Sequence, residues 1–380
     1  MRVLGYELNK LMNWKIIGLV VMISTIFYQL FLSFHIEHFP NGRPNLDRYN
    51  IAGEMITEYG YEMDEHEYTE FQQTYHEEVE KANLYLQSNE AFVEAEITTY
   101  EQFDNIDRDN QELTALRNKV MFEEGVDVFW ELQAREGMMN QYEGRTDLSP
   151  NNMPIANENQ QNRVKEVISK DEREAILPTE VVDNYNVLIS QLAILIVLSV
   201  MIVVSRIHII DQKNNMRMLQ YTTHKGRYLF KKKTAASFLA ALLITTIHLV
   251  VFFFMYLGNN VSVFFESSLH SFLHHNFYWM DFRFLDYILA TVVAVFLLSF
   301  ITAAIAAFIS RVASRYITLI GAHVPVAVIL VLLISEYLIS YFMSINYPMY
   351  LTVTTYAFLI AIGISLLISR WKKEKKVDIV

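Results

Sequence analysis

Six runs of about twenty apolar residues dominate this chain and restrict what it can fold into more than any other feature. A helix rising ~1.5 Å per residue needs about 20 such residues to cross ~30 Å of hydrocarbon. The runs occupy 16–34, 187–205, 234–258, 287–310, 316–341 and 350–369. The expected fold class is therefore an all-α membrane protein with six transmembrane helices. The first run follows a short basic stretch, but it is long for a signal-peptide core and no small-residue cleavage site follows, so it is read as a retained span.

Charge divides the chain sharply. Residues 35–186 carry 34 acidic and 12 basic side chains, whereas the rest of the 380 residues carries 8 acidic and 19 basic. The basic groups crowd the ends of the apolar runs: Lys10 and Lys15, the 206–233 loop, Arg311 with Arg315, and the 370–380 tail. With six spans all four fall on one side, which the positive-inside rule makes the cytoplasm. Both termini are then cytoplasmic and 35–186 is extracellular.

That acidic segment is too long for a structureless loop and too rich in aromatics for a disordered one. Asp64 to Glu96 lacks Gly and Pro, and Leu113 to Tyr142 can align Phe122, Val126, Phe129, Trp130 and Leu132 on one apolar helix face. A shorter helix is expected from Asn157 to Lys170, after a turn around Pro150 and Pro154. The expectation is a mostly helical domain that folds by itself, held by packing alone because the chain has no cysteine. Residues 1–15 read as an amphipathic helix in the inner interface, with Trp14 as anchor. Residues 259–286, dense in Phe, Tyr, Trp and His, read as an aromatic interfacial segment at the outer headgroups.

Hydrolytic chemistry has no local signature. The phosphate-cradling G-x-x-x-x-G-K-[ST] is absent, and His76-Glu77-Glu78 is not the H-E-x-x-H of zinc proteases. No catalytic residue, enzymatic activity, cofactor or nucleic-acid partner is expected in this chain. Glu266, His270 and His274 stand four residues apart and would share a helix face, which makes them a weak metal candidate; a headgroup-zone role suits them better. Polar groups inside spans are costly and prompt a functional question. His248, His323 (two residues before Pro325) and Glu336 are the candidates for a transport pathway, although Glu336 lies far enough along its run to reach the outer interface.

The basic loop from Asp211 to Phe238 carries the most information. Met216, Met218 and Leu219 offer apolar knobs to a partner groove, and Lys231, Lys232 and Lys233 suit anionic headgroups. The order Asp211, Met218-Leu219, Thr222-Thr223, Gly226-Arg227 and Lys233 resembles the first intracellular loop of type-2 ABC transporter permeases, with Asp211 for the more usual glutamate and no glycine before Leu219. A basic amphipathic N-terminal helix, six spans with both ends inside and a short basic turn between spans four and five are also usual in that family. A large domain between spans one and two resembles its sodium-exporter-like and lantibiotic-immunity-like branches.

The resemblance implies a permease subunit of an exporter. A separate ABC ATP-binding subunit, using ATP and Mg, would dock on Asp211, Met218, Leu219, Thr222, Thr223, Gly226, Arg227 and Lys233. A second permease, identical or paralogous, would complete the pathway within the membrane lipids. Absence of cysteine and a Lys-, Asn- and Ile-rich style point to a Gram-positive plasma membrane. The alternative is a membrane sensor or scaffold whose acidic domain binds a ligand or cell-envelope component.

Overall fold

The computed structural model describes residues 2–146, 157–170, 172–214, 216, 228–274 and 276–376. These are helical throughout apart from turns and two isolated β-bridges, Glu62 with Ala175 and Ser268 with Arg283. The chain divides into two compact units. One comprises Met1–His38, Asp183–Val261 and Leu285–Val380; the other comprises Phe39–Val182 and Ser262–Phe284.

The first unit carries the six helices long and apolar enough to cross a membrane, apart from Thr179–Val182 and Phe284 at the starts of two of them. They are span 1 (Trp14–Glu37), span 2 (Thr179–Lys213), span 3 (Leu229–Asn259), span 4 (Phe284–Val312), span 5 (Tyr316–Leu338) and span 6 (Met349–Lys375). Span 1 starts where the Asn13 side chain accepts from Ile16 N at 3.2 Å, satisfying one of the donors a helix start leaves free. Span 5 runs through Pro325 and closes in a π turn at Ile334–Leu338. Burial is uneven: 78% of the apolar window of span 2 is enclosed, against 11% for span 1.

Polar side chains satisfy one another among the enclosed spans. Tyr287 donates to Asn186 Oδ1 at 2.5 Å, Thr245 to Ser299 Oγ at 2.7 Å, and the Tyr185 and Thr291 hydroxyls lie 2.6 Å apart. Hydrocarbon cannot supply those hydrogen bonds, so the protein does. The N-terminal helix, Arg2–Leu11, forms as expected and packs along span 3, burying Glu7 and Leu11.

The second unit packs Glu65–Ser88 and Asn45–Tyr59 against Asp127–Glu143. Asp64 and Glu67 form a reciprocal capping box at the start of the long helix, as do Asn157 and Gln160 for Glu158–Ser169. Its core gathers Phe92, Phe103, Phe129, Trp130 and Leu132, with the Phe103 and Phe129 rings 4.3 Å apart. Two expected helices are broken. The first stops at Ser88, where Asn89 is extended and re-caps a short helix, Glu90–Glu94. The second divides into Gln111–Asn118, a π turn at Lys119–Glu123 and Asp127–Glu143, with Gly125 at φ +64° between them. Glycine is the residue that takes this angle without strain. The break turns Phe122 outward, 69% exposed, so it leaves the apolar face expected of it, while Trp130 Nε1 turns back to Met121 O at 2.8 Å.

The aromatic stretch expected at the membrane interface belongs instead to this unit. Phe264, Phe272, Phe277 and Tyr278 are each at most 1% exposed. Ser262–Phe284 is pinned by Leu177 N to Ser271 Oγ at 3.0 Å, Arg163 Nε to Tyr278 O at 3.2 Å and an Arg163–Asp281 ion pair. Phe272 meets Tyr142 edge-on with ring centroids 5.3 Å apart. The unit is thus discontinuous in sequence, in contrast to the expected contiguous 35–186 domain.

Candidate functional site: a buried ion cluster on the N-terminal helix and spans 2 and 3

Asp211 and Lys233 bracket the basic loop, and the structure brings them together. Lys233, 2% exposed, donates to Asp211 Oδ2 and to the Ile207 carbonyl at 2.9 Å. The N-terminal helix completes the cluster: Lys10 Nζ lies 2.5 Å from Asp211 Oδ1 and 3.1 Å from Glu7 Oε2, and Lys233 Nζ is 3.7 Å from Glu7. Two carboxylates and two ammonium groups cancel, which is the condition for burying charge at tolerable cost. Burial works against the Lys10 charge, but the hydrogen bond to Asp211 and the fields of Glu7 and Asp211 outweigh it and hold the ammonium above its ordinary range.

An aromatic column adjoins the ions. His208 stacks on Phe230 at 5.6 Å, and Phe230 on Trp371 at 6.2 Å. Lys231 Nζ stands 4.6 Å over the Trp371 ring, near enough for a cation–π attraction. His208 N donates to Ser310 Oγ at 3.1 Å, and Arg311 grips Glu374 through Nε at 2.7 Å and Nη2 at 2.9 Å, with Arg370 adding a bond at 2.8 Å. The fork geometry is the strong form of a carboxylate pair. The ends of spans 2, 3, 4 and 6 and the N-terminal helix are therefore linked through side chains.

The three consecutive lysines do not act as one headgroup anchor. Lys233 is buried in the ion cluster, Lys231 covers Trp371, and Lys232 is exposed. Met218, Leu219, Thr222, Thr223, Gly226 and Arg227 lie outside the described residues. Glu7, Lys10, Arg370 and Glu374 were missed as partners. A weak signal existed in Glu374, an acid flanked on both sides by lysine pairs, and in the i, i+3 spacing of Glu7 and Lys10.

The pathway candidates have separate local partners. His248 bridges Ser24 Oγ at 3.0 Å and Ile244 O at 2.8 Å. His323 is buried with Nδ1 2.7 Å from Leu319 O, and its Nε2 meets no partner among the described residues. Glu336 is exposed, lies in the π turn Ile334–Leu338 and accepts from Tyr347 OH at 3.0 Å.

Glu266, His270 and His274 do not share a helix face, because 265–283 forms turns around the Ser268–Arg283 bridge. Glu266 pairs with Arg283 at 2.5 Å, His270 Nε2 lies 3.2 Å from Tyr278 N, and His274 stacks on the Tyr278 ring. Among the described residues no group of three His, Asp or Glu side chains is placed to hold a metal ion. Comparison with protein-family models, with curated proteins and with solved structures finds no match.

Proposed function

We propose that this chain is the membrane-spanning subunit of an ATP-driven exporter, powered by a separate ATP-binding subunit docked on the 206–233 loop and the N-terminal helix. One observation carries the reading: Asp211 and Lys233, at the two ends of the loop, share an ion cluster with Glu7 and Lys10 of that helix. A loop tethered only by its backbone absorbs a push by flexing. A loop whose ends are tied to one neutral cluster passes the push to spans 2 and 3 and to the N-terminal helix together. The basic side faces the cytoplasm of a plasma membrane and the acidic unit faces outward, where a net charge of −22 over 35–186 avoids anionic inner lipids. A second copy or a paralogue completes the pathway, and hydrolysis takes place on the partner.

The test is a pull-down of the ATP-binding subunit from native membranes with the tagged chain. Leu219→Asp, which puts a charge on an apolar knob, and Gly226→Val, which replaces glycine with a β-branched residue, are expected to lose the partner while inserting normally. Lys232→Gln is expected to keep it. Retention of the partner by Leu219→Asp at the parental level would leave the loop as a mere anchor and remove the support for this reading.

A further inference from the structure

Span 1 is the least enclosed of the six, and no residue of its Trp14–Phe27 stretch is buried. A cavity of about 430 Å³ lies between it and spans 2 and 3, within the ~300–1,000 Å³ typical of small-molecule sites. Its wall on span 1 extends from Ile16 to Leu32, a rise of about 24 Å and so most of the ~30 Å hydrocarbon depth. Leu195 and Val203 of span 2, and Ile247 and Val251 of span 3, face it.

One polar bridge crosses this apolar groove, the Ser24 Oγ to His248 Nε2 contact at 3.0 Å. Ser24 lies about 12 Å above Ile16 and about 12 Å below Leu32 along the helix. The bridge therefore divides the groove into two halves, each close to the ~15 Å depth of one leaflet. At the Ile16 mouth stands Lys15, exposed and with no carboxylate partner among the described residues; its cation lies over the Trp14 ring at 5.6 Å. Lys10, by contrast, is neutralised by Glu7 and Asp211.

The chemistry of this gap selects its occupant. An apolar cavity does not hold water, and an empty one forfeits the dispersion contacts of its lining. A helix about 10 Å across would need roughly 2,000 Å³ over the groove's length, more than the approximately 1240 Å³ of empty space there. A flexible hydrocarbon chain fits. We propose that the half of the groove between Lys15 and the Ser24–His248 bridge binds one acyl chain of an anionic phospholipid, with the lipid phosphate at Lys15. Span 1 is then held to the bundle partly through lipid, and the headgroup sits one turn beyond the ion-clustered N-terminal helix. This site stands independently of whether an ATPase docks on the loop.

The full chain is reconstituted in nanodiscs of phosphatidylglycerol and phosphatidylcholine, with a phosphatidylglycerol that carries a photoreactive diazirine in mid-chain, and adducts are mapped by mass spectrometry. Adducts are expected on Ile16, Ile17, Val20, Val21 and Val203 in excess of those on Ile317 and Phe254, although the latter two are each 84% exposed. Val21→Trp fills the groove and should abolish the groove adducts while leaving those at Ile317. Leu30→Trp, on the same span but off the groove, should change neither. If Val21→Trp lowers the melting temperature, Ile247→Trp closes the groove from the opposite wall. Lys15→Gln should reduce the preference for phosphatidylglycerol over phosphatidylcholine about fivefold, the equivalent of ~1 kcal/mol per cationic side chain at the surface. Groove labelling no stronger than at Ile317, labelling that survives both tryptophans, adducts to a second copy of the chain within the groove, or a headgroup preference indifferent to Lys15→Gln would each overturn the proposal.

Discussion

In the unit built from Phe39–Val182 and Ser262–Phe284, Phe92, Phe103, Phe129 and Phe272 fill the interior and most carboxylates face outward. In the unit that carries the spans, Phe254 and Ile317 stand 84% exposed, whereas Lys233, Asn186, Thr245 and Ser299 are almost wholly buried. Both units are helical, so secondary structure does not distinguish them. The medium does. Water rewards burying aromatics, whereas hydrocarbon is indifferent to apolar burial and penalises every polar group left without a partner. The aromatic-cored unit is held by apolar burial, and the span-bearing unit by dispersion packing and a small number of hydrogen-bonded polar contacts.

The difference is sharpest when a piece is removed. Residues 39–182 expressed alone lack Phe272, Phe277 and Tyr278 of the shared core, and should not melt cooperatively. Joined by a flexible linker to 262–284, the same segment should gain a cooperative transition by circular dichroism. A cooperative melt of 39–182 alone, unchanged by the addition, would show that the aromatic stretch is no part of this core.

In the span-bearing unit the largest effect should come from charge. Asp211→Ala leaves Lys233 and Lys10 facing a single carboxylate, and should cost about 3–5 kcal/mol in a thermal or denaturant melt of the purified chain. Asp211→Glu, which keeps the charge, should cost much less. Equal losses for the two would mean that packing and not charge compensation holds the cluster.

Much of this was legible from residue order. The apolar runs, the amphipathic N-terminal helix and the 157–170 helix correspond to observed elements, because length and period are local properties. Asp211 and Lys233 were singled out together, but only folding shows that Lys233 turns inward while Lys231 and Lys232, in the same run, do not. The 259–286 stretch was misread because aromatics with histidines look alike at a headgroup boundary and in a core. What decides is pairing with Tyr142, Arg163 and Leu177, about a hundred residues away, which no local pattern records. The break at Gly125 was available in principle: a glycine within an otherwise helical pattern marks a place where the chain can turn.

A single hydrogen-bonding group should matter less. Tyr287→Phe removes the bond to Asn186 and the one accepted from Phe342 N at 3.0 Å. The expected cost is about 1 kcal/mol, as for polar contacts among spans generally. A core truncation in the other unit, Phe103→Ala, should cost about 3–5 kcal/mol. The ratio of the two losses tests the contrast directly, and near-equal values would break it.

The smallest effect is with pH. Burial pushes the Tyr142 phenol up to about 12, with the field of Arg145 opposing, and its ring stacks on Tyr68 at 4.3 Å. A phenol whose folded pKa is raised above the unfolded value, ~10, contributes stability that is fully present below pH 10 and lost as pH rises toward about 12. The absorbance difference between the parent and Tyr142→Phe near 295 nm should show a phenol titrating close to 12. A midpoint near 10 would place Tyr142 in water.

The proposed function claims that ATP on a partner moves the spans of this chain. Because the chain has no cysteine, Leu30→Cys and Phe254→Cys, both at exposed positions, can carry spin labels for distance measurement in the complex with the co-purified ATP-binding subunit. ATP with vanadate is expected to shift the mean distance between the labels, and Asp211→Ala to abolish the shift while the partner stays bound. A distance distribution identical with and without ATP, in a complex that still hydrolyses it, would show that the partner's ATP does not move these spans.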